Sequence, residues 1–180
     1  MNTIQKINQV LDEIQQYETT VDKNITKVDN RFALTSNEII KKKIPLNVLG
    51  CTGTAKLFVH YANEVDLKCE VVFTANANDL RNKNSRINGH QLISVKLEDG
   101  KEFIFDPRES ELKQINLDSF FHANIPHIFT GKIAGKDIEH VNSVEKIEEI
   151  YLTGYKNQLM QKGTKNLQSK SILFDSNERD

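Results

Sequence analysis

The stretch Gln91-Leu92-Ile93-Ser94-Val95-Lys96-Leu97-Glu98-Asp99-Gly100-Lys101-Glu102-Phe103-Ile104-Phe105-Asp106-Pro107 decides the fold. Two runs, Gln91–Leu97 and Lys101–Asp106, are rich in β-branched and aromatic residues and flank Glu98-Asp99-Gly100, so they read as a β-hairpin. Ile93, Val95, Phe103 and Phe105 all sit at odd positions. A loop of two or four residues pairs odd with even positions and splits this apolar set over both faces. A three-residue loop, with Gly100 in the left-handed conformation, sets Ile93 opposite Phe105 and Val95 opposite Phe103. One face is then uniformly apolar, and that fixes the register. Pro107 closes the second strand.

The same register places a histidine near an aspartate. His90 falls opposite Arg108 and Leu92 opposite Asp106. His90 and Asp106 thus become diagonal neighbours on the other face, about 7–8 Å apart at the backbone. A carboxylate there accepts a hydrogen bond from one imidazole nitrogen and leaves the other free as a base. On the hairpin alone, a surface ion pair without chemical role is the simpler reading.

Upstream, Cys51, Ala55, Phe58, Ala62 and Val65 recur at helical spacing, with Leu57 and Tyr61 widening the apolar stripe. This predicts a buried central helix that begins close to Gly50-Cys51. Cys51 falls in its first turn, where free N–H groups and the helix dipole favour the thiolate. Gly50 leaves room for a substrate carbonyl, and the backbone amides around Cys51 are candidate oxyanion donors. A thiol, a base and an orienting carboxylate are the parts needed to attack an acyl carbon. By residue type alone, a lone buried cysteine is also an ordinary packing group.

Taken together, Gly50-Cys51-Thr52 with Ala55 and Phe58, Gly89-His90 at a strand start, and Phe103-Ile104-Phe105-Asp106-Pro107 after an Asp-Gly turn resemble the transglutaminase-like cysteine peptidase superfamily, in its bacterial branch. Ser36, Glu38 and Ile39 resemble the helix that precedes the nucleophile in bacterial members. The resemblance covers roughly residues 35 to 110. It implies an α+β fold of papain/transglutaminase-like type, with the cysteine helix packed on an antiparallel sheet. It further implies Cys51 as nucleophile, His90 as general base and acid, and Asp106 as the orienting acid. Leu92 stands where members often carry an aromatic residue, and Gly50-Cys51-Thr52 replaces the Gln-Cys-Trp of animal transglutaminases. These departures favour a peptidase, amidase or protein-glutamine deamidase over a cross-linking enzyme. For the oxyanion side chain, Asn47 is the nearest amide, with Gly50 and Thr52 as neighbouring support. The alternative is a superfamily member that keeps the fold as a non-catalytic binding or scaffolding module.

The rest of the chain frames this core. Ile4, Ile7, Leu11, Ile14 and Tyr17 predict an amphipathic helix over residues 3–18, followed by a polar connector to residue 34. Thr35 with Glu38 is a capping-box spacing for a short helix that Pro45 ends. Cys69–Ala75 reads as a strand. Residues 76–88, with asparagines at 76, 78, 82, 84 and 88, read as a surface loop. Ser119–His122 and Ile125–Phe129 are short apolar patches. Asn142 with Glu145 caps a helix to about Gln161, with Val144, Ile147, Tyr151 and Leu159 inward, and residues 163–180 form a polar, mobile tail. The expected organisation is one domain, with an N-terminal helix and linker at 1–34, a catalytic core at 35–110 and an extension at 111–162.

The 180 residues carry 38% apolar and 27% charged side chains and a net charge of -1, which gives no electrostatic reason to expect nucleic acid or an anionic membrane. No apolar run approaches the ~20 residues of a membrane span, and the first residues do not lead into a signal-peptide h-region. A cytoplasmic location, a peptide or protein amide as partner, and no cofactor or metal are the expectations. His122, Asp118 and His127 fit no common metal-ligand spacing, and Cys69 reads as a packing thiol.

Overall fold

A computed structural model describes residues 1–18, 20–82 and 86–174, with side chains described as far as Gly163. The fold is mixed α+β, built on a five-stranded antiparallel sheet of order β3-β2-β1-β5-β4. The strands are β1 (Glu70–Asn76), β2 (Gly89–Lys96), β3 (Glu102–Phe105), β4 (Phe121–His122) and β5 (Ile125–Ala134). The helices are α1 (Thr3–Gln15), α2 (Ser36–Lys42), α3 (Leu46–Glu64), α4 (Ala77–Arg81) and α5 (Val144–Phe174). Among the described residues no helix is long and apolar enough to cross a membrane.

The hairpin register agrees with the parity argument. Ile93 pairs with Phe105 and Val95 with Phe103, and Gly100 has φ 84° in a loop closed by the Leu97 N–H on the Lys101 carbonyl. Ile93, Val95 and Phe105 join Val71, Phe73 and Ala75 in one core with Ile7 and Ile14 of α1, Leu57 and Phe58 of α3, and Ile147 and Tyr151 of α5. Side chains alternate along a strand, so Val72, Leu92 and Ile104 face the other way. There Ile115, Leu117, Phe120 and Phe129 cover them.

The cysteine helix starts where expected, but through a break. Leu46–Leu49 form one turn after Pro45, Gly50 leaves helical geometry at φ 73°, ψ -172°, and the helix resumes at Cys51. That backbone region is essentially restricted to glycine. Helix α2 has the expected capping box between Thr35 and Glu38. It ends on Lys43 in the left-handed conformation, two residues before the proline expected to stop it.

Five expectations need correction. Residues 76–88 are not wholly loop: the Asn76 side chain accepts from the Asn78 and Asp79 N–H groups and caps α4, while Leu80 and Ile87 enter the core. The patch at Ile125–Phe129 is the start of ten-residue β5, which pairs with β1 on the side away from β2. For α5 the capping side chain is Ser143, whose Oγ accepts from the Lys146 N–H at 3.1 Å, in place of Asn142. Leu159 of that helix is exposed, and α5 runs on to Phe174 through the segment expected to be a tail. Residues 175–180 of the expected tail lie outside the described residues.

Candidate active site

Strand β3 is shorter than β2, and this creates the site. Pairing between them begins at Ile93–Phe105, so the first residues of β2, Gly89 to Leu92, have no strand on that edge. The resumed helix delivers the Cys51 sulfur to this open edge. The sulfur lies 2.7 Å from Gln91 Oε1 and 3.9 Å from the Gly89 carbonyl. Cys51 is half-buried.

Beyond Phe105 the chain turns, and Asp106 closes on His90. Nε2 of His90 is 2.6 Å from Oδ2 of Asp106, with both side chains buried. The second carboxylate oxygen accepts from the Arg108 N–H at 2.9 Å, so the aspartate is held from both sides. Arg108 Nη1 also donates to the Leu46 carbonyl at 2.9 Å, which ties the end of β3 to the turn before Cys51.

His90 also stands near enough to Cys51 for each group to shift the other's proton affinity. With Nε2 committed to Asp106, Nδ1 is the nitrogen left for sulfur. Burial alone would lower the histidine pKa. The Asp106 hydrogen bond and the charges of Asp106 and Cys51 outweigh it and push His90 up to about 9. Burial would likewise raise Cys51, but His90, the Gln91 N–H and the Arg31 charge hold it below the usual thiol value. Asp106 is held low by His90 against its own burial. All three directions favour thiolate, imidazolium and carboxylate together.

Cys51, His90 and Asp106 are therefore brought together. The three residues expected to assist them are placed differently. Asn47 is exposed and makes no hydrogen bond to Cys51. The carboxamide beside the sulfur belongs to Gln91, because α3 packs on the sheet face that Gln91 shares with Ile93 and Val95. Thr52 donates through Oγ1 to Gln91 Oε1 at 2.8 Å and so holds that carboxamide. The space beyond Gly50, expected for a substrate carbonyl, is filled by the Arg31 guanidinium, which a Cβ at residue 50 would strike.

Several site residues were not singled out from sequence. Gln91 also donates through Nε2 to the Tyr151 hydroxyl, and Gly89 lacks the Cβ that would collide with that hydroxyl. The signal for Gln91 was present: it is a polar residue on an otherwise apolar face. His122 fits no common metal-ligand spacing, but its ring stacks on His90 at 3.9 Å between centroids and 12° between planes. His127 meets His122 edge-on and bonds Thr74 Oγ1 through Nδ1 at 2.9 Å. A tight turn at Ala123-Asn124, both with positive φ, brings the two histidines together. Burial and the His90 charge push His122 down; burial, His122 and His90 push His127 down to about 4. The positive charge of this imidazole group therefore stays on His90, which alone has a carboxylate partner at hydrogen-bond distance. Among the described residues no group of three or more His, Cys, Asp or Glu is arranged to hold a metal ion.

His60 and Cys69 lie away from this site. His60 sits near Ser36 and Glu64. Cys69 lines a groove of about 860 Å³ with Lys6, Asn63 and Ser94, at the opposite end of β1 and α3 from Cys51. Burial pushes its thiol up to about 12, which makes it a poor nucleophile. No family model, curated protein or solved structure matches the chain.

Proposed function

We propose that the chain is a thiol enzyme of papain/transglutaminase-like type that acts on an amide bond through a Cys51 thioester, as a peptidase, amidase or protein-glutamine deamidase. The observation that carries this reading is the convergence of Cys51, His90 and Asp106 at the open edge of β2, with the Nε2–Oδ2 distance of 2.6 Å. The absence of a calcium-type acidic loop and of the Gln-Cys-Trp sequence makes cross-linking the less favoured outcome.

The chemistry follows from the charge distribution. The Cys51 thiolate attacks the amide carbon and forms a C–S bond, while the carbonyl electrons move to oxygen. The Cys51 N–H, at the start of the resumed helix, points toward developing negative charge. The imidazolium of His90 gives its Nδ1 proton to the leaving nitrogen as the C–N bond breaks. Water then attacks the thioester, with His90 now taking a proton, and the thiolate departs. Asp106 keeps the ring in the required tautomer throughout. When sulfur is protonated, its S–H suits the Gln91 Oε1 in front of it. For the thiolate, a half-turn of the carboxamide presents Nε2 instead and leaves Tyr151 donating to Oε1.

Alkylation by iodoacetamide across pH, resolved by mass spectrometry between Cys51 and Cys69, tests the reading. Cys51 is expected to react rapidly well below pH 8.5, and His90→Ala to slow it at least about tenfold. Screening against peptide, glutamine-amide and amine-acceptor libraries then identifies the reaction, which Cys51→Ala abolishes. An ordinary thiol at Cys51, unaffected by His90→Ala, would establish the non-catalytic module instead.

A further inference from the structure

Arg31 stands beside Gly50, and beyond the effect of its charge on Cys51 it takes no step in the mechanism above. It opens a short 3-10 turn, Arg31–Ala33, that follows Asn30 in the left-handed conformation. Its guanidinium lies against the α-carbon of Gly50, in space that only glycine leaves open, and its Cζ sits 4.9 Å from the centre of the Phe32 ring. Its charge is felt at Cys51. Arg31 is exposed, and among the described residues no carboxylate pairs with it.

The placement is built into the core. Lys56 on the cysteine helix is 1% exposed, and its ammonium donates to the carbonyls of Phe32 at 2.8 Å and Leu34 at 2.9 Å. A buried ammonium is costly unless its hydrogen bonds are met. Here those bonds fasten Phe32 and Leu34, the first and third residues after Arg31, to the helix just over one turn beyond the nucleophile. The other nearby guanidinium, that of Arg108, is occupied by the Leu46 carbonyl. The Asp106 carboxylate is committed to His90. The site mouth thus holds a fixed, unpaired cation of the planar, two-pronged kind that matches a carboxylate.

We propose that Arg31 binds a carboxylate on the substrate, so that the enzyme selects amides carrying an acidic group close to the reacting carbonyl. This rests on Cys51 being the nucleophile. A carboxylate held by Arg31 next to Gly50 puts the attached carbonyl over the first turn of the resumed helix, within reach of the sulfur. Neutral or cationic amides lack that anchor.

Iodoacetate and iodoacetamide form the same bond to Cys51 and differ in carrying a carboxylate or a neutral amide. The ratio of their second-order rates at neutral pH and low salt divides out the thiolate fraction, which affects both equally. Attraction of iodoacetate by the His90 imidazolium is common to every variant. Relative to the unaltered protein, Arg31→Gln is expected to lower the ratio about fivefold, the size of one exposed charge pair, and Arg31→Glu to lower it further. Arg31→Lys should retain part of the preference, and high salt should weaken it in the unaltered protein. An unchanged ratio in Arg31→Gln and Arg31→Glu, with Cys51 still rapidly alkylated by iodoacetamide, overturns the assignment of Arg31 and leaves the nucleophile intact. Slow iodoacetamide alkylation of Cys51 in the unaltered protein overturns the nucleophile, and the Arg31 proposal with it.

Discussion

His90 sits between two partners that pull its proton affinity the same way, and this sets how the site responds to pH. Burial opposes the charge, but Asp106 and Cys51 together raise the ring to about 9. Amide cleavage needs the thiolate and the imidazolium at once, so turnover should rise through the lowered Cys51 value and fall as His90 loses its proton near 9. Asp106→Asn removes the charge and keeps the shape. The variant's His90 is expected to titrate closer to the ordinary value of about 6.5, and the alkaline limb of turnover to move to lower pH with it. NMR titration of the His90 ring measures the first, and a pH–rate profile the second. Stability has a definite sign too. A raised histidine pKa stabilises the fold fully below about 6.5, and that contribution is lost as pH rises through about 9. The excess stability of the unaltered protein over Asp106→Asn should therefore shrink across that window, as denaturant titrations at several pH values would record. A ring titrating near 9 in both proteins would mean that Asp106 does not set its charge.

At the scale of elements, the cysteine helix does two jobs. Its start is placed by the Gly50 break, the Pro45 turn and the Arg108 bond to Leu46, so the sulfur arrives at the edge that β3 leaves open. One turn further on, Lys56 secures the connector that precedes α2. Polar and aperiodic, that connector offered no periodic signal for its position, and a lysine within an apolar stripe reads from sequence as a solvent-facing residue. Its ammonium instead satisfies two carbonyls that have no backbone partner on the helix. Lys56→Met keeps much of the volume and leaves those acceptors unmet, so unfolding free energy should drop by about 1–3 kcal/mol. Because the connector carries Arg31, the iodoacetate preference should fall in the same variant while the fold persists. Chemical denaturation and the two alkylation rates check both parts. A variant as stable as the original would show that water replaces the ammonium without loss.

Across the whole molecule, legibility divides at about residue 110. Before it, period and parity placed the main elements, though not α4 or the connector: the odd-numbered apolar set fixed the β2–β3 register, and the stripe from Cys51 to Ala62 identified the central helix. After it, the decisive strand was hidden by a bulge. β1 pairs Phe73 with Gly131 and then Thr74 with Phe129, so Thr130 is an extra residue and the alternation along β5 changes phase there. A strand whose inward side switches halfway shows no sustained period of two. His127 and Thr130 deepen the difficulty, being buried polar residues where apolar ones would have signalled a strand. The site shows the same division. Cys51, His90 and Asp106 lie in the readable half, whereas Tyr151 and His122 come from segments whose position depends on β5.

This division makes a direct prediction about the extent of the folding unit. Residues 35–110 contain the three residues proposed for catalysis, yet they do not contain a closed core. β5 covers the edge of β1 from Glu70–Ala134 to Asn76–His127, and α5 adds Ile147 and Tyr151 to the apolar cluster that includes Phe73. Without them Val71, Val72 and Phe73, which are fully buried, would border an unpaired strand edge. Uncovered edges of that kind promote association rather than folding. Moreover, Tyr151 is the partner of the Gln91 carboxamide, so its loss would disturb the very group that faces the sulfur. A fragment ending at residue 110 is expected to lack a cooperative denaturation transition by circular dichroism and to expose apolar surface. Its Cys51 should alkylate like an ordinary thiol. A fragment that unfolds cooperatively and keeps rapid Cys51 alkylation would make residues 111–180 an appendage instead of half of the sheet's support.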